Sequence, residues 1–356
     1  MAETEVERLP ISVITGFLGS GKTTLLSRLI RHPGMERTAV IINEFGEVGL
    51  DHALMAKADD NAVLMQSGCL CCTIRSDLID TLRDLFLKRV KGLIPEFDRV
   101  VIETTGLADP APILHTLMTD PLVAGRFRLD GVIATVDAFN GAATLDAQPE
   151  SVKQAAVADR IVLTKTDLAD AEAVEELTGR LRTLNPAAPI LPANHGDIDP
   201  ATLFDAGLYD PSTKSADVGR WLKAEAYGHG NGHEHDDHGH HHDVNRHDDR
   251  IRSFCLELDH PVPWEDFADW MDALTRLRGD DLLRVKGVVW TTQTERPVVI
   301  HGVQHLFHPP ATIGAWPTGA PRTQIVFITR DIGRQAIEGM FLAFMESMKQ
   351  APRGSL

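Results

Sequence analysis

The run ISVITGFLGSGKTTLLSRLIRH, residues 11–32, constrains the fold more than any other part of the chain. An apolar, β-branched segment leads into a glycine-rich loop, and an amphipathic helical pattern follows at once. The loop from Gly16 to Thr24 fits the spacing G-x-x-x-x-G-K-[ST]. Glycines at these positions let successive backbone N–H groups wrap an anion where the helix dipole is positive, so the pattern predicts a phosphate cradle. Gly16, Gly19, Ser20, Gly21 and Thr24 would form the cradle. Lys22 would neutralise β/γ-phosphate charge, and the Thr23 hydroxyl is placed to ligate Mg²⁺. A glycine turn carrying Lys-Thr by chance would not be expected between a strand and a helix.

Short Val- and Ile-rich runs recur between helical stretches, at 11–15, 39–42, 62–65, 100–102, 132–136, 161–163 and 190–191. Strands that read as continuous apolar runs and alternate with helices predict a mostly parallel sheet covered on both faces, an α/β domain over residues 1–210. Residues 211–250 change character: "YGHGNGHEHDDHGHHHDVNRHDDR" has no apolar period and holds eight of the sixteen histidines, as expected of a flexible linker. Periodicity returns from 251 to 356. The strand RIRSFCLEL, the helix WEDFADWMDALTRLRG, the strands LLRVKGVVWT, PVVIHGVQHLF and TQIVFITR, and a last helix over 331–349 predict a small α+β domain of ferredoxin-like kind.

Composition narrows the partners. A formal charge of −16 disfavours nucleic acid and anionic membranes, which call for a basic face. No apolar run approaches the roughly 20 residues of a membrane helix, and MAETEVERLP lacks the order of a signal peptide, so the cytoplasm is expected. Four cysteines in 356 residues do not make a disulfide framework, which leaves metal or redox chemistry for the thiols.

Three further stretches extend the phosphate cradle. DRVVIETTG ends an apolar strand on Glu103, an acid suited to the Mg²⁺ shell, and Gly106 allows close approach to a γ-phosphate. TKTD, with Thr164, Lys165 and Asp167, follows the strand RIVL; an Asp there accepts the N1–H and 2-amino hydrogens of guanine, a pair adenine does not offer, while the Lys stem packs on the base. GTP is therefore the expected ligand, and the loop ANHGDID could cover the base; His195 within it reads equally as a structural loop histidine or as a nucleotide or metal contact. NEFGEVGLD, residues 43–51, occupies the place of a switch loop, where Glu44, Glu47 and Asp51 could order water or Mg²⁺ or simply be solvated.

Cys69, Cys71 and Cys72 are three of the four cysteines, in the stretch SGCLCCTIR ahead of a predicted helix. A helix N-terminus and Arg75 both stabilise thiolates. Closely spaced thiolates suit a borderline divalent ion such as Zn²⁺, held at about 2.3 Å, with Co²⁺ or Ni²⁺ as alternatives. A closed structural site needs a fourth ligand, and none is visible; water, His52, Glu44, His115 or another protein could supply it. Cys255, flanked by apolar residues, reads as a buried strand residue. In the linker, His229, His233, His235, His238, His240, His241 and His242 could store further ions, or could be no more than solvated linker.

Taken in order, ITGFLGSGKTTLL, INEFGEVGLD, GCLCC, ETTGLADP, TKTD and HGDID closely resemble the CobW-like GTPases, relatives of the HypB and UreG metal-insertion GTPases; the segment after Arg250 resembles the CobW C-terminal domain. The resemblance implies a metallochaperone in which GTP hydrolysis is coupled to metal binding at Cys69, Cys71 and Cys72 and to transfer into a metal-requiring client protein. Zinc is the usual cargo it implies, and cobalt the cargo of cobalamin-pathway members. It carries nucleotide contacts over to Gly16–Thr24, Lys165 and Asp167. Catalytic work would fall to Lys22, Glu44, Asp51 and Glu103. Where some relatives have an acid before Asn-Glu-Phe-Gly this chain has Ile42, which removes one potential ligand. A monomer, or a homodimer dependent on nucleotide or metal, is compatible with this reading. Its rivals are a metal buffer or sensor that transfers nothing and a small-molecule kinase, against which TKTD argues.

Overall fold

A computed structural model describes residues 8–42, 63–66, 74–204, 250–316 and 320–350. The expected switch loop with Glu44, Glu47 and Asp51, the cysteines Cys69, Cys71 and Cys72, and the histidine tract lie outside the described residues. The chain divides into two compact units, one of Met1–Leu181 and Ala188–Tyr209, the other of Arg182–Ala187 and Asp210–Leu356.

Among the described residues of the first unit, seven strands form one sheet: β1 (Leu9–Gly16), β2 (Thr38–Ile42), β3 (Val63–Gln66), β4 (Arg99–Glu103), β5 (Phe127–Asp137), β6 (Arg160–Thr164) and β7 (Ile190–Ala193). Their order is β3-β2-β4-β1-β5-β6-β7, and every pairing is parallel. Between them run α1 (Lys22–Leu29), α2 (Ile74–Val90), α3 (Ala111–Thr119), α4 (Pro121–Ala124), α5 (Gly141–Ala147), α6 (Pro149–Val157), α7 (Ala171–Leu184) and, after β7, α8 (Pro200–Leu203). Ile14, Val40, Val101, Ile133 and Val162 pack on one sheet face against Leu25, Leu26 and Leu29 of α1. Their strand neighbours Val13, Ile41, Ile102, Ala134 and Ile161 point the other way and are equally buried. Burial on both faces is why these strands are apolar without alternation; each fully buried Val, Leu or Ile contributes roughly 1.5–3 kcal/mol.

One strand is longer than its apolar run predicts. The apolar run covers 132–136, yet β5 begins at Phe127 and takes in Asp130, which is buried. The Ser12 hydroxyl donates to Asp130 Oδ2 at 2.9 Å, and the β1–β5 register shifts between Ile11 and Ser12 to accommodate the pair. A satisfied carboxylate can thus occupy a strand interior that pattern alone would end.

The second unit is an antiparallel sheet with helices, of the α+β class. β8 (Ile251–Leu258), β9 (Leu282–Val289), β10 (Val298–Val303), β11 (Leu306–Phe307) and β13 (Thr323–Arg330) run in the order β11-β10-β9-β13-β8, and β12 (Ala311–Thr312) pairs with β10. α9 (Trp264–Arg278) and α10 (Arg334–Gln350) cover the face formed by Phe254, Leu256, Val285, Ile300, Ile325 and Phe327. Trp270 anchors this layer, edge-on to Phe341 with ring centroids 4.9 Å apart. On the opposite face Cys255 sits buried beside Val326. Burial, with the Glu257 carboxylate adding to it, pushes its thiol up to about 12. The neutral thiol is therefore the form favoured by folding, and it persists through the neutral range. With Cys69, Cys71 and Cys72 changed to Ser, the native protein should show no thiol reactive toward a disulfide reagent at about pH 8, and a single reactive thiol once denatured. Rapid labelling of the native variant would overturn this assignment.

Candidate nucleotide site

Parallel pairing brings every strand end to one edge, and that is where the predicted motifs meet. Ile14 stands beside Glu103, Gly16 beside Thr135, Asp137 beside Thr164, and Thr164 beside Ala193. Segments far apart in sequence thus become neighbours because the register across β4, β1, β5, β6 and β7 is in step. Ligands of open α/β sheets bind at this carboxyl edge, where the strand order reverses.

Within the loop after β1, Gly16 has φ +142°, and a Cβ there would lie 2.3 Å from Thr135 Oγ1 and 2.5 Å from the Thr135 carbonyl oxygen. Only glycine lets the loop leave the sheet so close to β5. The Ser20 and Thr135 hydroxyls are 2.6 Å apart, which pins the middle of the loop to the same residue. Lys22 is buried; its Nζ donates to the carbonyls of Gly16 at 2.9 Å and Phe17 at 3.1 Å, so the ammonium is folded back over the loop. Thr23 Oγ1 donates to Glu103 Oε1 at 2.8 Å, across 80 residues of sequence. A hydroxyl and a carboxylate oxygen that converge at the head of a phosphate loop suit Mg²⁺, a hard cation that binds through oxygen. Both line a cavity of about 250 Å³ together with Gly21, Lys22, Thr24 and Gly106. Gly106 is there by close approach: a Cβ on it would meet the Leu18 backbone nitrogen at 2.7 Å.

The TKTD segment is built differently from its sequence expectation. Thr164 does not line the cavity; its hydroxyl donates to the Ser20 carbonyl at 2.7 Å and the Val136 carbonyl at 3.2 Å, tying β6 to the phosphate loop. Lys165 does line it, in the left-handed region at φ +56°, with Nζ donating to Asp137 Oδ2 at 2.7 Å. Burial tends to raise the Asp137 carboxyl, but hydrogen bonds from Lys165, the Phe139 N–H and Asn140 outweigh it and hold the group below the usual carboxylate range. The ion pair fixes the Lys stem. Asp167 lies outside the cavity lining, its carboxylate 3.8 Å from His195 Nε2, and Thr166 donates to the Asn194 side chain, joining TKTD to the loop after β7. The sequence reading passed over Asp137, Thr135 and Asn194. For Asp137 a local signal existed: an acid that closes a strand and accepts the N–H groups two and three residues on, as in an Asx turn.

Among the described residues, no group of three His, Cys, Asp or Glu could hold a metal ion. None of their helices is long and apolar enough to cross a membrane. Cys69, Cys71, Cys72, Glu44, Asp51 and the linker histidines, being outside the described residues, are not positioned by this geometry.

Comparison with known proteins agrees with the motifs. Residues 10–192 match the family described as "CobW/HypB/UreG, nucleotide-binding domain", and residues 251–345 match "Cobalamin synthesis protein cobW C-terminal domain". The chain is 34% identical to the zinc chaperone YjiA of Escherichia coli over 335 residues, 94% of this chain and 98% of YjiA. It is 29% identical to the zinc-regulated GTPase metalloprotein activator 1 of Saccharomyces cerevisiae, over 96% of this chain and 85% of that one. The crystal structure of the Zn(II)-bound YjiA GTPase superposes with a TM-score of 0.71 at 31% identity, covering 95% of this chain and 99% of the other. Matched by both domain models and 34% identical to YjiA across nearly its whole length, this protein belongs to the CobW/HypB/UreG family of P-loop GTPases.

Proposed function

We propose that this protein is a GTP-hydrolysing metallochaperone that carries a divalent ion, zinc in the first instance, at Cys69, Cys71 and Cys72 and passes it to a client protein. The observation that carries the reading is the meeting of Lys22, Thr23, Glu103 and Lys165 around one cavity, on the edge where β3 also ends. β3 closes at Gln66, paired to Ile42, which in turn pairs with Glu103; Cys69 follows three residues later in sequence. β3, the last described element before the cysteines, thus ends on the edge that holds the phosphate loop. The names of the bacterial and yeast relatives, a zinc chaperone and a zinc-regulated metalloprotein activator, support zinc and a protein client.

In this reading the P-loop N–H groups and Lys22 bind the β- and γ-phosphates, and Asp167 selects guanine. Thr23 and Glu103 would hold Mg²⁺, which when bound would supply charge neutralisation at the phosphates. A water oxygen adds to the γ-phosphorus as its bond to the β–γ bridging oxygen breaks, giving GDP and phosphate, with Glu44 and Asp51 assigned to ordering that water. Residues 1–210 carry this chemistry, 211–250 link, and 251–356 form the C-terminal domain. The protein works in the cytoplasm, as a monomer or as a homodimer that forms with nucleotide or metal.

Metal and γ-phosphate should then bias each other's affinity, since both act on segments flanking β2 to β4. The test is chelator competition for Zn²⁺ and Co²⁺ in the GDP state and with a non-hydrolysable GTP analogue, in the full chain, in a variant lacking residues 229–247, and with the three cysteines changed to Ser. One tight site, lost with the cysteines and shifted by nucleotide, is expected. Tight binding that survives the serines or ignores nucleotide would favour a buffer based on the histidine tract.

A further inference from the structure

The loop from Thr104 to Asp109 follows Glu103 and contributes Thr104, Thr105 and Gly106 to the cavity that holds Lys22 and Thr23. Its position is set from several sides. At its start the Thr104 N–H donates to the Ile14 carbonyl at 2.9 Å, and its hydroxyl donates to Thr15 Oγ1 at 3.0 Å. In the middle and at the end, the contacts come from α6. Gln154 is 1% exposed, and its amide nitrogen donates to the carbonyls of Gly106 at 3.2 Å and Ala108 at 3.0 Å. Carbonyl oxygens only accept, so the NH₂ end of the amide must face them. Lys153, the preceding residue, donates to Asp109 Oδ2 at 3.0 Å, while Asp109 Oδ1 accepts the Ala111 N–H at the start of α3.

Gln154 does not line the phosphate cavity and so touches no reacting atom. What it holds is Gly106, which lies against the backbone of Leu18 in the phosphate loop. α6 is also rigidly joined to the base-reading strand. It leads through Ala158 and Asp159 into β6, where Asp159 Oδ2 accepts the Val132 N–H at 2.9 Å and Thr164 grips the Ser20 carbonyl. The same stretch of chain thus contacts the loop after Glu103 through Gln154 and the phosphate loop through Thr164.

We propose that Gln154, seconded by Lys153, is a positioning residue for GTP hydrolysis: by holding the carbonyls of Gly106 and Ala108 it sets the loop that meets the third phosphate, and so governs discrimination of GTP from GDP. The proposal rests on the GTPase reading above. GDP has no γ-phosphate and makes no demand on this loop, so a loosened loop should spare GDP and weaken GTP. A merely structural role would weaken both alike.

The experiment uses full-length protein and three readouts: affinity for fluorescent GDP, affinity for a fluorescent non-hydrolysable GTP analogue, and single-turnover GTP hydrolysis. Gln154→Leu keeps the volume and removes both donors; Gln154→Glu sets carboxylate oxygens against carbonyl oxygens. Each should weaken the GTP analogue and slow hydrolysis by about tenfold or more, while GDP affinity stays within about twofold. Lys153→Ala should move the same ratio in the same direction by about threefold, and Lys153→Arg should restore it; the Lys153 pair lies nearer the surface and provides the test if a Gln154 variant does not fold. Equal weakening of GDP and the GTP analogue, or no change in either with folded variants, overturns the proposal while the GTPase reading stands. A wild-type protein that binds no guanine nucleotide would overturn that reading, and this inference with it.

Discussion

Changing Asp167 to Asn should lower affinity for GDP by about 10⁴-fold and create affinity for the xanthine nucleotide XDP. An aspartate carboxylate accepts two hydrogen bonds from guanine, whereas an asparagine amide can accept one and must donate the other. Xanthine carries a carbonyl where guanine carries its 2-amino group, so the variant matches it and leaves no donor unmet. The effect is large because the penalty falls on polar groups removed from water at a site built to pair with them. Titration calorimetry with both nucleoside diphosphates reads it without involving the γ-phosphate loop. The surroundings favour a clean exchange: Thr164 and Lys165 are held by Ser20 and Asp137 and not by Asp167, so the substitution leaves the supports of the motif in place. A variant that loses GDP and gains no XDP would show that Asp167 does not read the base.

Gly16→Ala is expected to cost at least about 10²-fold in guanine-nucleotide affinity, with a smaller loss of stability of about 1–3 kcal/mol. The added Cβ would fall 2.3 Å from Thr135 Oγ1 and 2.5 Å from the Thr135 carbonyl oxygen, on a backbone with φ +142° that L side chains rarely adopt. Something must move. β5 is locked by pairing on both sides, to β1 and to β6, so the phosphate loop yields instead. Displacement of the loop carries with it the carbonyls of Gly16 and Phe17 that hold Lys22, and the charge meant for the phosphates is misplaced. Removing the hydroxyl with Thr135→Ala should not rescue binding, because the carbonyl contact remains. Fluorescent GDP titration of the single and double variants checks both statements, and near wild-type affinity for Gly16→Ala would refute the geometric account.

These two residues also show how differently sequence and structure inform the site. Gly16 was legible at once: the spacing to Gly21 and Lys22 sits within one short stretch, and the flanking strand and helix confirm its context. Asp167 was legible as a motif at the end of an apolar strand. Asp137 was legible only as an acid closing a strand; its pairing was not, because nothing near it in sequence mentions Lys165, 28 residues away. Gln154 belongs to no motif, yet it is buried and donates to a loop 46 and 48 residues upstream. Asp130 lies outside the apolar run at 132–136, and Ser12, 118 residues earlier, supplies the partner that lets it sit buried in the strand.

Local pattern was enough for the α/β class, the seven apolar strands of the first unit, the α+β character of the second, and the placement of the glycine-rich loop and of TKTD at strand ends. Each of these is written in short-range spacing: an apolar run, a glycine at a fixed offset, an acid closing a strand. Only the tertiary structure decided which hydroxyl meets which carboxylate, that Thr164 supports the phosphate loop and does not line the cavity, and that α6 holds the loop after Glu103. Those contacts join residues up to 144 positions apart, and they depend on the register of parallel strands whose crossovers leave no trace in local pattern.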